Sequence, residues 1–324
     1  MDTGSYAGSF AEVSDRLCQS VESSADTLPL IGGREVSKTR RPSVLVKISE
    51  ARQIDLQTEG EGRPFLWLHS AFRGPAGFDG LISSVQTRLR REGVEAKHYL
   101  PYLSGFGRSS PCSEPGVFPY EMADDIERLI EKLNLRGVHL IGYSLGANVA
   151  SIIANRMSDR VDSLVLLGIA IEGSDLNVYR QLLSLCTAKD WDEVVRFTAQ
   201  NLVGTKNRDG YLKMMSLVRK QVSSKEFEDD LVRILCSEAR LDVFPELKQL
   251  SVPTLMVSGD EDHFAPGHEK REALKHNRNI DTVFLEGTGH NELVFPLQVD
   301  VTPYMFRFWR ARGLGHRHTG PYSR

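Results

Sequence analysis

The stretch that most constrains this chain is Gly142-Tyr143-Ser144-Leu145-Gly146. It follows an apolar run, 138–141, that reads as a strand, and it precedes a run, 147–157, that reads as a helix. A serine set between strand and helix, with a glycine two residues away on each side, marks a turn too tight for large neighbouring side chains. Gly142 and Gly146 supply the room, and Ala147 is small as well. Such a turn lifts the hydroxyl to the carboxyl end of a sheet. It also sets the Leu145 N–H at a helix N-terminus, where developing negative charge is stabilised. The plain alternative is an ordinary strand-to-helix turn with Ser144 as the helix cap.

The rest of the chain favours the first option by its rhythm. Residues 44–48 and 51–57 read as an opening hairpin, and 65–68 and 96–100 as short strands. Residues 81–91 and 120–133 read as helices; in the second, Met122, Ile126, Leu129, Ile130 and Leu133 share one face. Residues 161–167 form a nearly continuous apolar run, as in a strand buried on both faces. Two more strands are expected at 254–258 and 282–285. This alternation predicts an α/β fold with a mostly parallel central sheet and helices on both faces.

One stretch, 171–244, breaks the rhythm with helical periods alone. Tyr179, Leu182, Leu183 and Cys186 give one, and Trp191, Val194, Val195 and Leu202 another. Leu212, Met215 and Val218 suggest a third, and Leu231, Ile234 and Leu235 a fourth. It is expected to be an inserted helical cap, or lid, on a core made of 43–170 and 245–312. Residues 1–42 are expected to be an extension, partly disordered or a short helix, and 313–324 a disordered tail.

A serine hydroxyl needs a neighbouring base. Gly287-Thr288-Gly289-His290 follows the last expected strand, so His290 would lie at the same sheet edge as Ser144. The base needs a carboxylate to hold its tautomer. The loop after strand 254–258 offers Asp260, Glu261 and Asp262. Asp262 is the choice, because Gly259-x-x-Asp262 leaves a turn before it; Asp260 is the fallback.

Composition closes off other functions. With 40 Lys+Arg against 43 Asp+Glu, the net charge of −3 gives no basic footprint for nucleic acid. Cys18, Cys112, Cys186 and Cys236 form no metal-ligand cluster and read as reduced thiols. No run is apolar enough to span a membrane, and the N-terminus lacks the pattern of a signal peptide. The expectation is a cytoplasmic enzyme, monomeric or homodimeric, with a small-molecule substrate and neither metal nor organic cofactor.

Together these segments resemble the α/β-hydrolase-fold superfamily, in its lid-bearing branch of esterases and carbon–carbon bond hydrolases. The matching pieces are Leu66-Trp67-Leu68-His69-Ser70, Gly105-Phe106-Gly107-Arg108-Ser109-Ser110, Gly142 to Gly146, Val252-Pro253-Thr254 with Gly259-x-x-Asp262, and Gly289-His290. The chain order serine, acid, histidine agrees with that fold. The resemblance implies an oxyanion hole made by the N–H groups of Ala71 and Leu145. It departs from the family at Ser70, where glycine is usual, and in having no aspartate just ahead of Gly105. Ser70, Phe72, Arg73 and Tyr143 are expected substrate contacts, and His69 a structural hydrogen-bonding residue.

The implied activity is hydrolysis of a carboxylic ester or thioester of a small apolar substrate through an acyl-enzyme. A serine nucleophile argues against haloalkane dehalogenase and epoxide hydrolase chemistry, which in this fold uses a carboxylate there. Carbon–carbon bond hydrolysis of a diketone-like substrate and lactone chemistry stay open. So do other reactions of the same three residues, namely a lyase, a cofactor-free oxygenase, a perhydrolase, acyl transfer or cyclisation. A non-catalytic ligand-binding protein on the same fold is the alternative of another kind.

Overall fold

Side-chain alternation along the central strands decides the architecture. In β3 (Arg63–Leu68), Phe65 and Trp67 enter one apolar layer while Leu66 and Leu68 enter the other. β6 (Val161–Leu167) divides in the same way, with Leu164 and Leu166 on one side and Val165 and Leu167 on the other. A strand apolar on both faces must be covered on both faces. The computed structural model describes residues 41–71, 74–112, 118–171, 177–205, 207, 212, 233–234, 236–238, 240–265, 271–272, 274–294 and 299–313.

The remaining strands are β1 (Ser43–Lys47), β2 (Gln53–Gly60), β4 (Ala96–Pro101), β5 (Val138–Tyr143), β7 (Thr254–Gly259) and β8 (Ile280–Leu285). They form one eight-stranded sheet in the order β1-β2-β4-β3-β5-β6-β7-β8. From β4 to β8 every neighbouring pair is parallel; β1 and β2 form the antiparallel hairpin at one edge. Helices α1 (Asp79–Arg91) and α7 (Thr302–Ala311) cover one face through Leu81, Val85, Leu89, Met305, Phe306 and Trp309. Helices α2 (Phe118–Lys132) and α3 (Leu145–Arg156) cover the other through Met122, Ile126, Leu129, Val149 and Ile153. This is the expected α/β-hydrolase architecture. The chain leaves β3 toward β4 on one side and later returns as β5 on the other. The carboxyl ends of β3 and β5 therefore flank a switch point, where open α/β sheets place their sites.

Between β6 and β7 lie α4 (Asn177–Thr187), α5 (Trp191–Leu202) and, just before β7, the short α6 (Phe244–Gln249). The first two match the first two helical periods, with Leu182, Leu183, Cys186, Val194, Val195 and Leu202 buried. The Asp190 side chain caps α5 by accepting from the Glu193 N–H at 3.2 Å. The third and fourth periods fall mostly outside the described residues. The expected extension and tail, apart from residues 41–42 and 313, lie outside them too. Cys112 and Cys186 are buried free thiols. Cys236 is disulfide-bonded, which corrects the expectation that every cysteine is reduced. No helix among the described residues is long and apolar enough to cross a membrane.

The amino-terminal half of the sheet holds two buried histidines. Trp67 Nε1–H donates to His98 Nδ1 at 3.0 Å, and His98 Nε2 meets Gln86 Oε1 at 2.7 Å. His139 Nδ1 and Trp309 Nε1 both bond Ser163 Oγ, at 2.8 and 3.1 Å. Burial pushes the pKa down to about 4 for His98 and about 3 for His139. Below an unfolded-chain value of about 6.5, the unfolded state takes up protons that the folded state refuses. Stability is therefore complete above that pH and drains away as pH falls toward the folded values. Urea titrations should show a loss of about 2 kcal/mol per histidine between about pH 7.5 and 5. His139→Gln should flatten that slope by about one proton; an unchanged slope would contradict the assignment.

Candidate active site

The turn after β5 has no slack. β5 ends at Tyr143, α3 begins at Leu145, and Ser144 alone makes the connection with φ 55° and ψ −124°. A positive φ is costly for a residue with a Cβ. It is held from both sides: Ser144 N–H donates to the Leu167 carbonyl at 2.9 Å, and its carbonyl accepts from Ala147 N–H at 2.7 Å. The Ser144 hydroxyl makes no capping hydrogen bond, although the residue occupies the cap position. The usual reason for a serine there is absent.

The two glycines are sterically required. A Cβ on Gly142 would lie 2.3 Å from the Gly146 carbonyl oxygen and 2.6 Å from Ala147 Cα. One on Gly146 would lie 2.0 Å from the Leu68 carbonyl oxygen and 2.7 Å from that of His69. The start of α3 thus rests on the end of β3, bringing the Ser144 turn and the His69–Ala71 loop together. His69 braces that loop: its Nδ1–H donates to the Ser70 carbonyl at 2.9 Å, and its Nε2 accepts from Leu103 N–H at 3.0 Å. Both ring nitrogens are used structurally, as expected.

Ser70 is buried and is not among the positive-φ residues, so this turn does not need the glycine usual there. Ala71 is buried beside it, and Leu145 is the first residue of α3, where N–H groups lack intrahelical acceptors. Ahead of and within the Gly105 stretch, where the usual aspartate is absent, two carboxylates from other elements make contact. Ser104 Oγ donates to the buried Asp125 at 2.6 Å, and Arg108 forks onto Asp55 at 3.0 and 2.9 Å.

His290 and Asp262 meet directly. His290 Nδ1–H donates to Asp262 Oδ2 at 2.7 Å, and both side chains are buried. This leaves Nε2 as the basic ring nitrogen. Asp262 Oδ1 accepts from the N–H groups of Phe264 and Ala265 at 3.0 and 2.9 Å, which fixes the carboxylate. Asp260, the fallback, instead accepts from Thr288 N–H at 3.3 Å and braces the histidine loop. A Cβ on Gly259 would lie 1.9 Å from the Thr288 carbonyl oxygen, so the glycine of Gly259-x-x-Asp262 lets the Asp262 and His290 loops touch.

Sequence reasoning missed several supporting residues. Gly168, with φ 56°, follows β6 directly and lies against the imidazole; a Cβ there would lie 2.9 Å from His290 Cε1. Its place at the end of an apolar strand was a usable signal. Arg271 is fully buried and bonds the Ile169 carbonyl at 2.6 Å. Desolvation lowers its pKa to about 10, opposed by the charge of Asp262. Tyr143, expected as a substrate contact, is buried; its hydroxyl donates to the His290 carbonyl at 3.3 Å and its ring lies 5.1 Å from the imidazole. Phe72 and Arg73 lie outside the described residues.

Ser144 is partly exposed in an otherwise buried turn, at the same sheet edge as the His290–Asp262 pair. Among the described residues, no hydrogen bond joins Ser144 Oγ to His290 Nε2. Such contacts are often loose until substrate binds.

Residues 64–295 match the family model described as alpha/beta hydrolase fold, and the chain belongs to that family. Its relatives differ in activity. A pimeloyl-[acyl-carrier protein] methyl ester esterase from Nitrosomonas europaea is 25% identical over 264 residues, covering 76% of this chain and 96% of the esterase. A non-heme chloroperoxidase from Kitasatospora aureofaciens is 26% identical over 258 residues, covering 73% of this chain and 88% of its own. Among solved structures, an esterase from Exiguobacterium antarcticum superposes with a TM-score of 0.66 at 18% identity, over 83% of this chain and 100% of that one.

The clash at Gly146 involves backbone, which cannot step aside. Gly146→Ala should therefore destabilise the fold by roughly 2–4 kcal/mol in denaturant titration. A variant of wild-type stability would contradict this packing.

Proposed function

We propose that this chain is a serine hydrolase that cleaves a carboxylic ester or thioester of a small apolar substrate through an acyl-enzyme. The observation that carries this is Ser144 itself. The fold holds it in a strained conformation with its hydroxyl free of any capping role, at the sheet edge where His290 is paired to Asp262. Strain kept where the fold has no use for the side chain points to chemistry.

In this mechanism Ser144 Oγ attacks the carbonyl carbon while His290 Nε2 takes its proton. Asp262 stabilises the imidazolium and holds its tautomer. The N–H groups of Leu145 and Ala71 receive the oxyanion, aided by the positive end of α3. His290 then protonates the leaving alcohol or thiol. In the second half it draws a proton from water, which attacks the acyl carbon and restores Ser144. The steps need neither metal nor organic cofactor. The segment 171–244 acts as a cap over the site, with Ser70, Phe72, Arg73 and the half-buried Trp191 and Phe197 as candidate substrate contacts. The esterase relative, matched over 96% of its own length, supports the ester class.

The chloroperoxidase relative supports a second reading on the same residues. Hydrogen peroxide in place of water would take the acyl group from Ser144, releasing a peracid. A 2-hydroxy-6-oxononadienedioate/2-hydroxy-6-oxononatrienedioate hydrolase from Paraburkholderia xenovorans, 25% identical over 76% of this chain and 89% of its own, likewise supports carbon–carbon bond hydrolysis of a diketone-like substrate as an alternative.

On p-nitrophenyl esters, Ser144→Ala and His290→Ala should each lower kcat by about 10⁴-fold or more, and Asp262→Asn by about 10⁴-fold. Full turnover by Ser144→Ala would refute the proposal. With acetate and hydrogen peroxide, Ser144-dependent peracid formation faster than ester hydrolysis would favour the second reading; none would leave hydrolysis alone.

A further inference from the structure

Two carboxylates beside the proposed acid and base have no part in the mechanism above. Glu261 precedes Asp262, and Glu292 lies two residues past His290 in a short turn, Asn291–Val294. Both reach the same stretch of the inserted segment, just past the end of α5. Glu292 Oε1 accepts from Gly204 N–H at 3.1 Å and from Asn207 Nδ2–H at 2.6 Å. Glu261 accepts from Thr205 N–H and, at 3.0 Å, from the Thr205 hydroxyl. Asn207 N–H bonds the Gly204 carbonyl at 2.9 Å and closes the stretch into a turn.

The backbones beneath these bonds touch without side chains between them. A Cβ on Gly289 would lie 2.4 Å from Gly204 N, 2.7 Å from the Val203 carbonyl carbon and 2.8 Å from Glu292 Oε2. A Cβ on Gly204 would lie 2.8 Å from the Gly287 carbonyl oxygen and 3.2 Å from Gly289 N. The glycines around His290 therefore serve the docking of the inserted segment as well as the loop itself.

Glu292 is only 3% exposed, and its Oε2 has no hydrogen-bond partner among the described residues. A buried carboxylate with one oxygen unsatisfied is costly, and an apolar residue of similar size would serve packing better. Its bonds lead from the histidine turn to the inserted segment and nowhere else. We infer that Glu292 is a positioning residue. It locks the turn that follows His290 onto Gly204 and Asn207, so that the imidazole is held aimed toward Ser144. Glu261 makes the parallel tie from the acid loop. This inference rests on the serine-hydrolase reading given above.

The test compares Glu292→Leu, Glu292→Gln, Asn207→Ala and Ser144→Ala with the wild type, measuring kcat and KM on one p-nitrophenyl ester and Tm for each. Leucine removes the acceptor, whereas glutamine keeps an oxygen for both donors. A misaimed base costs turnover rather than affinity, so Glu292→Leu should lose roughly 10- to 100-fold in kcat with KM changed less than about threefold. Glu292→Gln should recover kcat to within about threefold of wild type. Asn207→Ala should lose kcat in the same direction by a smaller factor, and it decides the matter if the leucine variant does not fold. Wild-type kcat in Glu292→Leu and Asn207→Ala would overturn the inference. So would a loss confined to KM or Tm, or a glutamine variant as slow as leucine. If Ser144→Ala stays active, the hydrolase reading fails and the inference falls with it. If Ser144→Ala is dead and the Glu292 variants are not slowed, the inference alone fails.

Discussion

The contact on which this site depends is between two pieces of backbone, the first turn of α3 and the end of β3. Gly146 sits so close to the Leu68 and His69 carbonyls that a single methyl group would collide with both. That contact, with Gly142 pressed against Gly146 and Ala147, leaves Ser144 no relaxed conformation. The residue is held at φ 55° because its surroundings over-determine it. The same contact draws the His69–Ala71 loop beside the helix start, where the proposed oxyanion donors would face one another. Position and polarity at the site thus share one steric cause.

The proposed base and acid, His290 and Asp262, rest on a similar device. Gly259 admits the Thr288 carbonyl, Gly168 makes room for the imidazole, and Gly289 admits the backbone at Gly204. Hydrogen bonds then fix what the glycines bring together: Asp262 by two N–H groups, His290 by Asp262, and Thr288 by Asp260. A carboxylate held by backbone donors cannot swing away from its histidine, which is the preorganisation such chemistry needs. The stretch just past α5 joins this arrangement, because Glu261 bonds Thr205 and Glu292 bonds Gly204 and Asn207.

Much of this was legible in the sequence because it rests on local pattern. Period-two alternation and apolar runs located the strands, and the glycine spacing around Ser144 located the turn. The expected start of the helix at Ala147 fell late by two residues, because the helix begins at Leu145, directly after Ser144, with no connecting residue between strand and helix but the serine. Asp262 could be preferred over Asp260 by loop spacing, but only the fold shows Asp260 turned toward Thr288. What stayed hidden depends on partners far along the chain. Glu292 gains its meaning from Gly204 and Asn207, and Tyr143 is taken up by the His290 carbonyl. Cysteine count and spacing likewise gave no sign that Cys236 is disulfide-bonded.

The account stands or falls on Ser144 as the nucleophile, and covalent labelling addresses this without knowledge of the substrate. The protein would be treated with a fluorophosphonate, digested, and the modified peptide located by mass spectrometry. The account predicts a single adduct on Ser144, formed slowly or not at all when His290 is replaced by alanine. An adduct on another residue, or labelling of Ser144 that is indifferent to His290, would contradict it.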